Sequence, residues 1–256
     1  MKLWQNNEHD TEITFYEAKN KCSDAAIVIF PGGAYAMRAE HEGKGYAEFF
    51  QSIGVNSFVV DYHVAPDYFP QPLLDARRAV RFVRANAEKY GINPEKIAVM
   101  GSSAGGHLTA MLSTYYAPIE GEGVDELDNV SFMPNAQILC YAVIRNPDTG
   151  ISHEGSFRNL LGDRYDSMNK AVDPALIASP RTPQAFIWHT AADDGVNVIN
   201  AYDYAASLKR CGVPVEMHVF PDGRHGLGVA PDFPHVAQWT GLLKNWLEYI
   251  GWKNEE

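Results

Sequence analysis

Residues 97–106 read Ile97-Ala98-Val99-Met100-Gly101-Ser102-Ser103-Ala104-Gly105-Gly106. An apolar run leads into a Gly-x-Ser-x-Gly turn, and a helical stretch follows. A sharp turn from strand to helix holds its central residue in a strained conformation, and neighbouring side chains would clash with the returning backbone. Glycines on both sides relieve that clash, so the pattern predicts that Ser103 is a nucleophile presented at the end of a strand. The alternative is a Gly/Ser-rich turn in which Ser102 or Ser103 only caps a helix.

Apolar runs and helical patterns alternate along the whole chain. The runs that predict strands are 11–17, 26–30, 55–62, 96–100, 136–144, 185–190 and 215–220. The patterns that predict helices are 42–53, 73–90, 104–116, 198–211 and 233–250. This alternation is typical of an α/β fold with a mainly parallel sheet and helices on both faces. No linker or repeat divides the sequence, so we expect a single domain over residues 1–256.

In such a sheet, active sites lie at the carboxyl ends of the strands. His225 follows the last predicted strand in a turn rich in glycine, and Asp193 and Asp194 follow the strand before it. A serine nucleophile needs a base, and the base needs a carboxylate that fixes its tautomer. The order Ser, Asp, His matches one known hydrolase architecture. The residues alone leave open which carboxylate acts, and turn or N-cap chemistry is the alternative for this pair.

The loop after the first buried strand, residues 30–35, reads Phe-Pro-Gly-Gly-Ala-Tyr. Such a loop can present backbone N–H groups to the oxyanion of an acyl-transfer transition state. We predict that Gly33 and Ala34 supply such donors, together with the Ala104 amide at the start of the following helix. For 31–33 alone, a plain tight turn is the alternative.

Composition excludes several classes of protein. The 256 residues carry 21 Lys and Arg against 32 Asp and Glu, a net charge of −11, which disfavours nucleic acid and anionic membranes as partners. The three cysteines, Cys22, Cys140 and Cys211, show no metal-ligand spacing, so we expect neither a metal nor a cofactor. No signal-peptide pattern or membrane-spanning run appears, and we expect a cytoplasmic protein unless an export signal was removed. The sequence leaves open whether the protein forms a homo-oligomer.

Several segments together resemble the α/β-hydrolase superfamily, in particular its esterase/lipase group related to hormone-sensitive lipase and the bacterial carbohydrate and xylan acetyl esterases. The matching segments are 30–35, 61–66, 72–76, 101–106, 188–193 and 220–228. The resemblance implies the α/β-hydrolase fold, and its Asp-x-x-Val pattern selects Asp193 as the acid. Two positions depart from the family: Pro31 replaces the His of the HGGG motif, and Asn197 replaces a frequent Pro.

These features predict a serine carboxylesterase that hydrolyses short acyl esters, acetyl above all, on a sugar or oligosaccharide. The segments 118–134 and 145–184 are too polar to roof a long acyl chain, so we expect a minimal lid. Tyr35 and His107 are predicted to line a mouth for the substrate. The alternatives are a short-chain esterase or lipase with a non-carbohydrate substrate, a peptidase of the prolyl-oligopeptidase type, and a binding protein that has lost its chemistry. A peptidase of that type carries a large extra domain, for which this chain has no room.

Overall fold

Seven strands form one sheet in the computed structural model, which describes residues 1–4, 11–123 and 125–253. The strands are β1 (Ile13–Tyr16), β2 (Ala26–Phe30), β3 (Asn56–Val60), β4 (Ile97–Ser102), β5 (Ala136–Cys140), β6 (Gln184–Thr190) and β7 (Val215–Phe220). Their order across the sheet is β1-β3-β2-β4-β5-β6-β7. β1 pairs antiparallel with β3, and all other neighbours are parallel. The predicted mainly parallel sheet is confirmed.

Helices connect these strands. The α-helices are α1 (Glu40–Ser52), α2 (Gln71–Ala85), α3 (Ser103–Thr114), α4 (Glu154–Leu161), α5 (Tyr165–Met168), α6 (Pro174–Ile177), α7 (Ile199–Arg210), α8 (Pro234–Ala237) and α9 (Trp239–Tyr249). Short 3-10 turns occupy Glu88–Tyr90, Glu126–Asn129, Pro147–Thr149 and Gly162–Arg164. None of the helices in the described ranges has both the length and the apolar character needed to cross a bilayer.

The sheet has an apolar core on each of its faces, because successive side chains of a strand point to opposite sides. In β2, Val28 packs with α2 and α3, whereas Ile27 packs with α1 and α9. α7 lies on the same face as α3, over Leu139 and Ile187. The predicted layers of helix, sheet and helix are therefore confirmed. The single domain over residues 1–256 stays a prediction, and residues 5–10, 124 and 254–256 lie outside the described ranges.

Three predicted elements differ from the observed ones by more than two residues or by a break. The helix predicted over 73–90 begins at Gln71 and ends at Ala85, where the Asn86 side chain donates to the Phe82 carbonyl. The strand predicted over 136–144 ends at Cys140, because Tyr141 has a φ of 37° that no strand can continue. The helix predicted over 233–250 is divided at Gln238 into α8 and α9.

The connection from β5 to β6, residues 141–183, forms what we call the cap segment. It holds the short helices α4 to α6. The buried carboxylate of Asp173 fixes this segment by accepting from Arg145 Nε at 3.1 Å and from the Asn146 amide at 2.9 Å. The apolar side chains of α4, Phe157 among them, are buried in the core that includes α2 and α3. The cap segment therefore agrees with the predicted minimal lid.

Candidate active site

Ser103 lies at the turn from β4 into α3, with a φ of 52°. The two flanking glycines make this turn sterically feasible. A Cβ on Gly101 would lie 2.1 Å from the Gly105 carbonyl oxygen, and a Cβ on Gly105 would lie 2.1 Å from that of Phe30. A left-handed conformation is strained for a serine and is held here by the surrounding packing. The turn presents the Ser103 side chain beyond the carboxyl end of β4.

The predicted base and acid meet this serine. His225 Nε2 lies 2.9 Å from Ser103 Oγ, and His225 Nδ1 lies 2.8 Å from Asp193 Oδ2. Ser103, Asp193 and His225 follow β4, β6 and β7, so three strand ends assemble the group. The Nδ1–H of the imidazole donates to the carboxylate, which leaves Nε2 as the acceptor for the serine hydroxyl. A serine, its base and an orienting carboxylate in this geometry can perform nucleophilic catalysis.

The Asp193 carboxylate is buried and is held by four donors. Oδ1 accepts from the amides of Gly195 and Val196, both at 2.8 Å. Oδ2 accepts from His225 and, at 3.2 Å, from His189 Nε2. Burial acts to raise the pKa of Asp193, but the two imidazoles and the Val196 amide outweigh burial and hold that pKa well below its usual range. Asp193 therefore stays ionised across the working range of an enzyme.

His189 was not predicted to act beside Asp193. It is fully buried, and its Nε2 lies 2.9 Å from the Val196 carbonyl oxygen. Because a carbonyl only accepts, Nε2 carries the proton, and Nδ1 has no hydrogen-bond partner among the described residues. The signal in the sequence is its position four residues before Asp193, as the last residue but one of β6.

The loop after β2 lies against Ser103, since a Cβ added at Gly32 would lie 3.1 Å from the Ser103 Cβ, and the two residues after Gly32 have free amides. Gly33, Ala34 and Tyr35 all have positive φ values, of 132°, 56° and 55°. The N–H groups of Gly33 and Ala34 have no acceptor among the described residues. The Ala104 amide lies in the first turn of α3, where helical N–H groups lack intrahelical partners. The three predicted oxyanion donors are thus available for an outside acceptor.

The loop is tied down on both sides. The Tyr62 hydroxyl donates to the Pro31 carbonyl at 2.6 Å. Asn159 of the cap segment donates through Nδ2 to the Ala34 carbonyl at 2.9 Å. The polar support of the loop therefore comes from other elements, although Pro31 replaces the histidine of the family motif.

The prediction that Tyr35 and His107 line an open mouth needs correction, because each is only 1% exposed. Tyr35 donates its hydroxyl proton to His107 Nδ1 at 2.8 Å, and His107 Nε2 donates to the Val172 carbonyl at 2.7 Å. Burial lowers the pKa of His107 to about 4, so its imidazole is neutral. The pair thus joins residues 30–35, which we call the oxyanion loop, to α3 and to the cap segment.

The cap segment also carries an imidazole, His153, that interacts electrostatically with His225. Burial lowers the pKa of His153, and positive charge on His225 lowers it further. His153 Nδ1 accepts from the Ser156 amide and so caps α4.

In the described ranges, no group of three or more His, Cys, Asp or Glu side chains is arranged to hold a metal ion.

Comparison with known proteins relates the sequence and the fold of this chain to those of ester hydrolases. The BD-FAE family model matches residues 13–208. The acetyl ester-xyloside bifunctional hydrolase from Caldicellulosiruptor lactoaceticus has a solved structure that is 38% identical, with a TM-score of 0.92 over 99% of this chain and 97% of that one.

Two curated relatives are much longer than this chain. Endo-1,4-beta-xylanase B from Butyrivibrio fibrisolvens is 35% identical over 93% of this chain and 39% of its own length. The acetylxylan esterase from Xylanibacter ruminicola is 32% identical over 89% of this chain and 46% of its own length. The chain thus spans less than half of either relative. With a family model that covers most of its length, the chain belongs to the BD-FAE family and has the α/β-hydrolase fold.

Proposed function

We propose that this chain hydrolyses short acyl esters, acetyl esters above all, by a Ser-His-Asp acyl-enzyme mechanism. The observation that carries the proposal is the unbroken line of contacts from Ser103 Oγ through His225 to Asp193, at 2.9 and 2.8 Å. The free amides of Gly33 and Ala34, in the loop whose Gly32 lies against the serine, add to it.

The chemistry proceeds in two halves. Ser103 Oγ attacks the ester carbonyl carbon as His225 Nε2 takes the hydroxyl proton, and the resulting oxyanion accepts from the amides of Gly33, Ala34 and Ala104. His225 then gives this proton to the departing alcohol, which leaves an acetyl ester on Ser103. In the second half, water gives a proton to His225 and attacks the acyl carbon. Collapse of that intermediate returns the proton from His225 to Ser103 and releases acetic acid, which ionises to acetate in solution.

For the alcohol we propose a sugar, in particular an acetylated xylose unit. Support comes from the names of the similar proteins, an acetylxylan esterase, a xylanase and an acetyl ester-xyloside hydrolase. The burial of the apolar side of α4 agrees with an acyl site that takes a small group. A small-molecule ester is then the partner of this site.

The test measures acetate released from acetylated xylo-oligosaccharides and from p-nitrophenyl acetate. Ser103→Ala should abolish labelling by a fluorophosphonate probe and reduce both activities by several orders of magnitude. Ser52→Ala is the matched control, since Ser52 is an exposed serine at the end of α1, and it should change neither. A Ser103→Ala variant that keeps a tenth of either activity would contradict the mechanism. Activity on p-nitrophenyl acetate without activity on the sugar would favour an esterase with a non-carbohydrate substrate.

A further inference from the structure

Glu42, in the first turn of α1, is a buried carboxylate in contact with the oxyanion loop. Its side chain is only 3% exposed, and its Oε2 accepts from the Gly32 amide at 2.8 Å. Gly32 directly precedes the proposed donor Gly33. No Lys or Arg side chain pairs with Glu42 among the described residues, and His41 Nε2 lies 3.8 Å from its Oε1. A buried carboxylate without a cationic partner is costly, so its hydrogen bonds must hold it in place.

Those bonds continue through two buried tyrosines. Tyr141 donates its hydroxyl proton to Glu42 Oε1 at 2.7 Å. The hydroxyls of Tyr46 and Tyr141 are 3.0 Å apart, and Tyr46 Oη lies 2.6 Å from Ser102 Oγ. Each hydroxyl has one proton to give, and a carboxylate only accepts. The direction is therefore fixed: Ser102 donates to Tyr46, Tyr46 to Tyr141 and Tyr141 to Glu42.

Both phenols keep their protons. Burial raises the pKa of Tyr46 and of Tyr141 well above 10, and the negative charge of Glu42 raises both further. The Tyr141 hydroxyl also accepts from the Gly228 amide at 2.9 Å, which ties the network to the loop that holds His225. The Tyr141 ring packs edge-on against the His225 ring, with centroids 5.1 Å apart.

The network thus reaches three segments of the proposed machinery, each within three residues of a proposed functional residue. Gly32 adjoins Gly33, Ser102 adjoins Ser103, and Gly228 lies three residues after His225. Tyr141 has a left-handed φ of 37°, a strained conformation for a tyrosine, and this conformation directly follows β5. The Glu42 carboxylate and its two tyrosines thus connect the carboxyl ends of β2, β4, β5 and β7.

We propose that Glu42 is a positioning residue that sets the oxyanion loop through Gly32 and the His225 loop through Tyr141. The inference rests on the proposed function of Ser103 and of the amides of Gly33 and Ala34. Among the described residues, Glu42 makes no hydrogen bond to Ser103, and its partners are Gly32 and Tyr141. It acts by fixing the peptide that precedes the oxyanion donors, and a displacement of about 1 Å there can cost about 100-fold in rate.

Two substitutions of Glu42 separate positioning from charge. Glu42→Ala removes both acceptors and leaves the Gly32 amide free to move. Glu42→Gln keeps an acceptor for Gly32, and its amide nitrogen can donate to Tyr141 if the hydroxyl chain reverses to run from Tyr141 through Tyr46 to Ser102. The positioning role therefore predicts loss in the first variant and rescue in the second.

The experiment compares kcat, KM and inhibition by an alkyl boronic acid, which forms a tetrahedral anion on a serine nucleophile. Glu42→Ala should lower kcat by about 30- to 100-fold and weaken boronate binding in parallel, with KM within about threefold of wild type, because the oxyanion contacts strengthen only in the transition state. Glu42→Gln should stay within about threefold in all three. Glu40→Ala, an exposed carboxylate in the same helical turn, is the matched control and should match wild type.

A folded Glu42→Ala variant that keeps a third of wild-type kcat, or loses kcat with boronate affinity intact, would overturn the proposal. Equal losses in Glu42→Ala and Glu42→Gln would do the same. If Glu42→Ala fails to fold, Tyr141→Phe decides: it should lower kcat at least tenfold with KM unchanged, and a wild-type kcat would overturn the proposal. Ser103→Ala separates the two hypotheses, since its activity tests the proposed function whatever the Glu42 variants do.

Discussion

Asp193 buries its carboxylate between two imidazoles, whereas its neighbour Asp194 leaves its own exposed to solvent. The Asp193 side chain is 1% exposed, and its Oδ2 lies 2.8 Å from His225 Nδ1. Asp194 reaches the same residue only through Oδ1, which lies 3.4 Å from the His225 amide nitrogen. Of these two adjacent residues, Asp193 therefore orients the His225 imidazole, whereas Asp194 contacts only the backbone of the His225 loop.

This difference predicts unequal effects of two matched substitutions. Asp193→Asn should reduce kcat/KM by up to about 10⁴-fold, because the wrong imidazole tautomer forms and the imidazolium loses its counter-charge. Asp194→Asn should cost less than about tenfold. Ester hydrolysis by the two purified variants measures both effects, and the opposite ranking would assign the acid to Asp194.

The contact between Ser103 and His225 predicts that their substitutions are not additive. His225→Ala should lower kcat about as severely as Ser103→Ala, because the nucleophile and its base act as a unit. The double variant should be no worse than either single variant within about tenfold. Single-turnover kinetics would measure this comparison. A double variant that is far slower would mean that the two side chains act independently.

The tight packing at Gly105 predicts opposite effects of alanine at two glycines. Gly105→Ala would place a Cβ 2.1 Å from the Phe30 carbonyl oxygen and push β2 away from α3, so it should lower both stability and activity. Gly241→Ala in α9 meets nothing within 4 Å and should stabilise the protein by about 0.5–1 kcal/mol. Urea denaturation measures both. A stable, fully active Gly105→Ala variant would show that the contact can relax.

Burial of the neutral His107 predicts acid sensitivity of the fold. Its pKa falls from the usual 6.5 to about 4, so as the pH drops through this window the unfolded chain takes up a proton that the folded protein refuses. Stability is therefore lost as the pH falls from 6.5 to 4, by about 3 kcal/mol at the lower end.

Urea denaturation at intervals between pH 7 and pH 4 measures this loss. His107→Gln should flatten the dependence, while His235→Gln, which changes an exposed imidazole, should leave it as in the wild type. An unchanged slope in His107→Gln would assign the acid sensitivity to other groups.

The arrangement of the cap segment predicts a preference for short acyl chains. The apolar side chains of α4 are buried in the core, so they do not roof an acyl chain, for which each buried CH₂ would contribute about 0.8 kcal/mol. We expect kcat/KM for p-nitrophenyl esters to be highest with acetyl or propionyl and to fall steeply beyond butyryl. A preference for octanoyl would place the enzyme among lipases.

Local patterns in the sequence led to most residues of the candidate site. Ser103 and Ala34 belong to turns whose glycines and short side chains encode an unusual backbone, and such a signal is visible in a few consecutive residues. Asp193 and His225 follow strands that are themselves recognisable as apolar runs. Their convergence then follows from the parallel order of the sheet.

Long-range packing could not be predicted in the same way. In the sequence, Glu42 is one of two acidic residues in the first turn of a surface helix, and its burial follows only once Tyr141, 99 residues away, lies against it. The same holds for the depth of Tyr35 and His107, which depends on the carbonyl of Val172 in the cap segment. Aromatic and histidine side chains are found both lining open pockets and buried in the core, and the sequence pattern does not distinguish these two positions.

The position of the strands has a consequence for how the protein loses activity. β4, which carries Ser103, has a strand on each side, while β7, which leads to His225, is the edge strand of the sheet with mostly half-buried side chains. Amide hydrogens in β4 should exchange with deuterium only through global unfolding, whereas those of β7 should exchange through local opening. Mild denaturant should therefore inactivate the protein by releasing β7 and His225 from the sheet, while the amides of β4 remain protected from exchange.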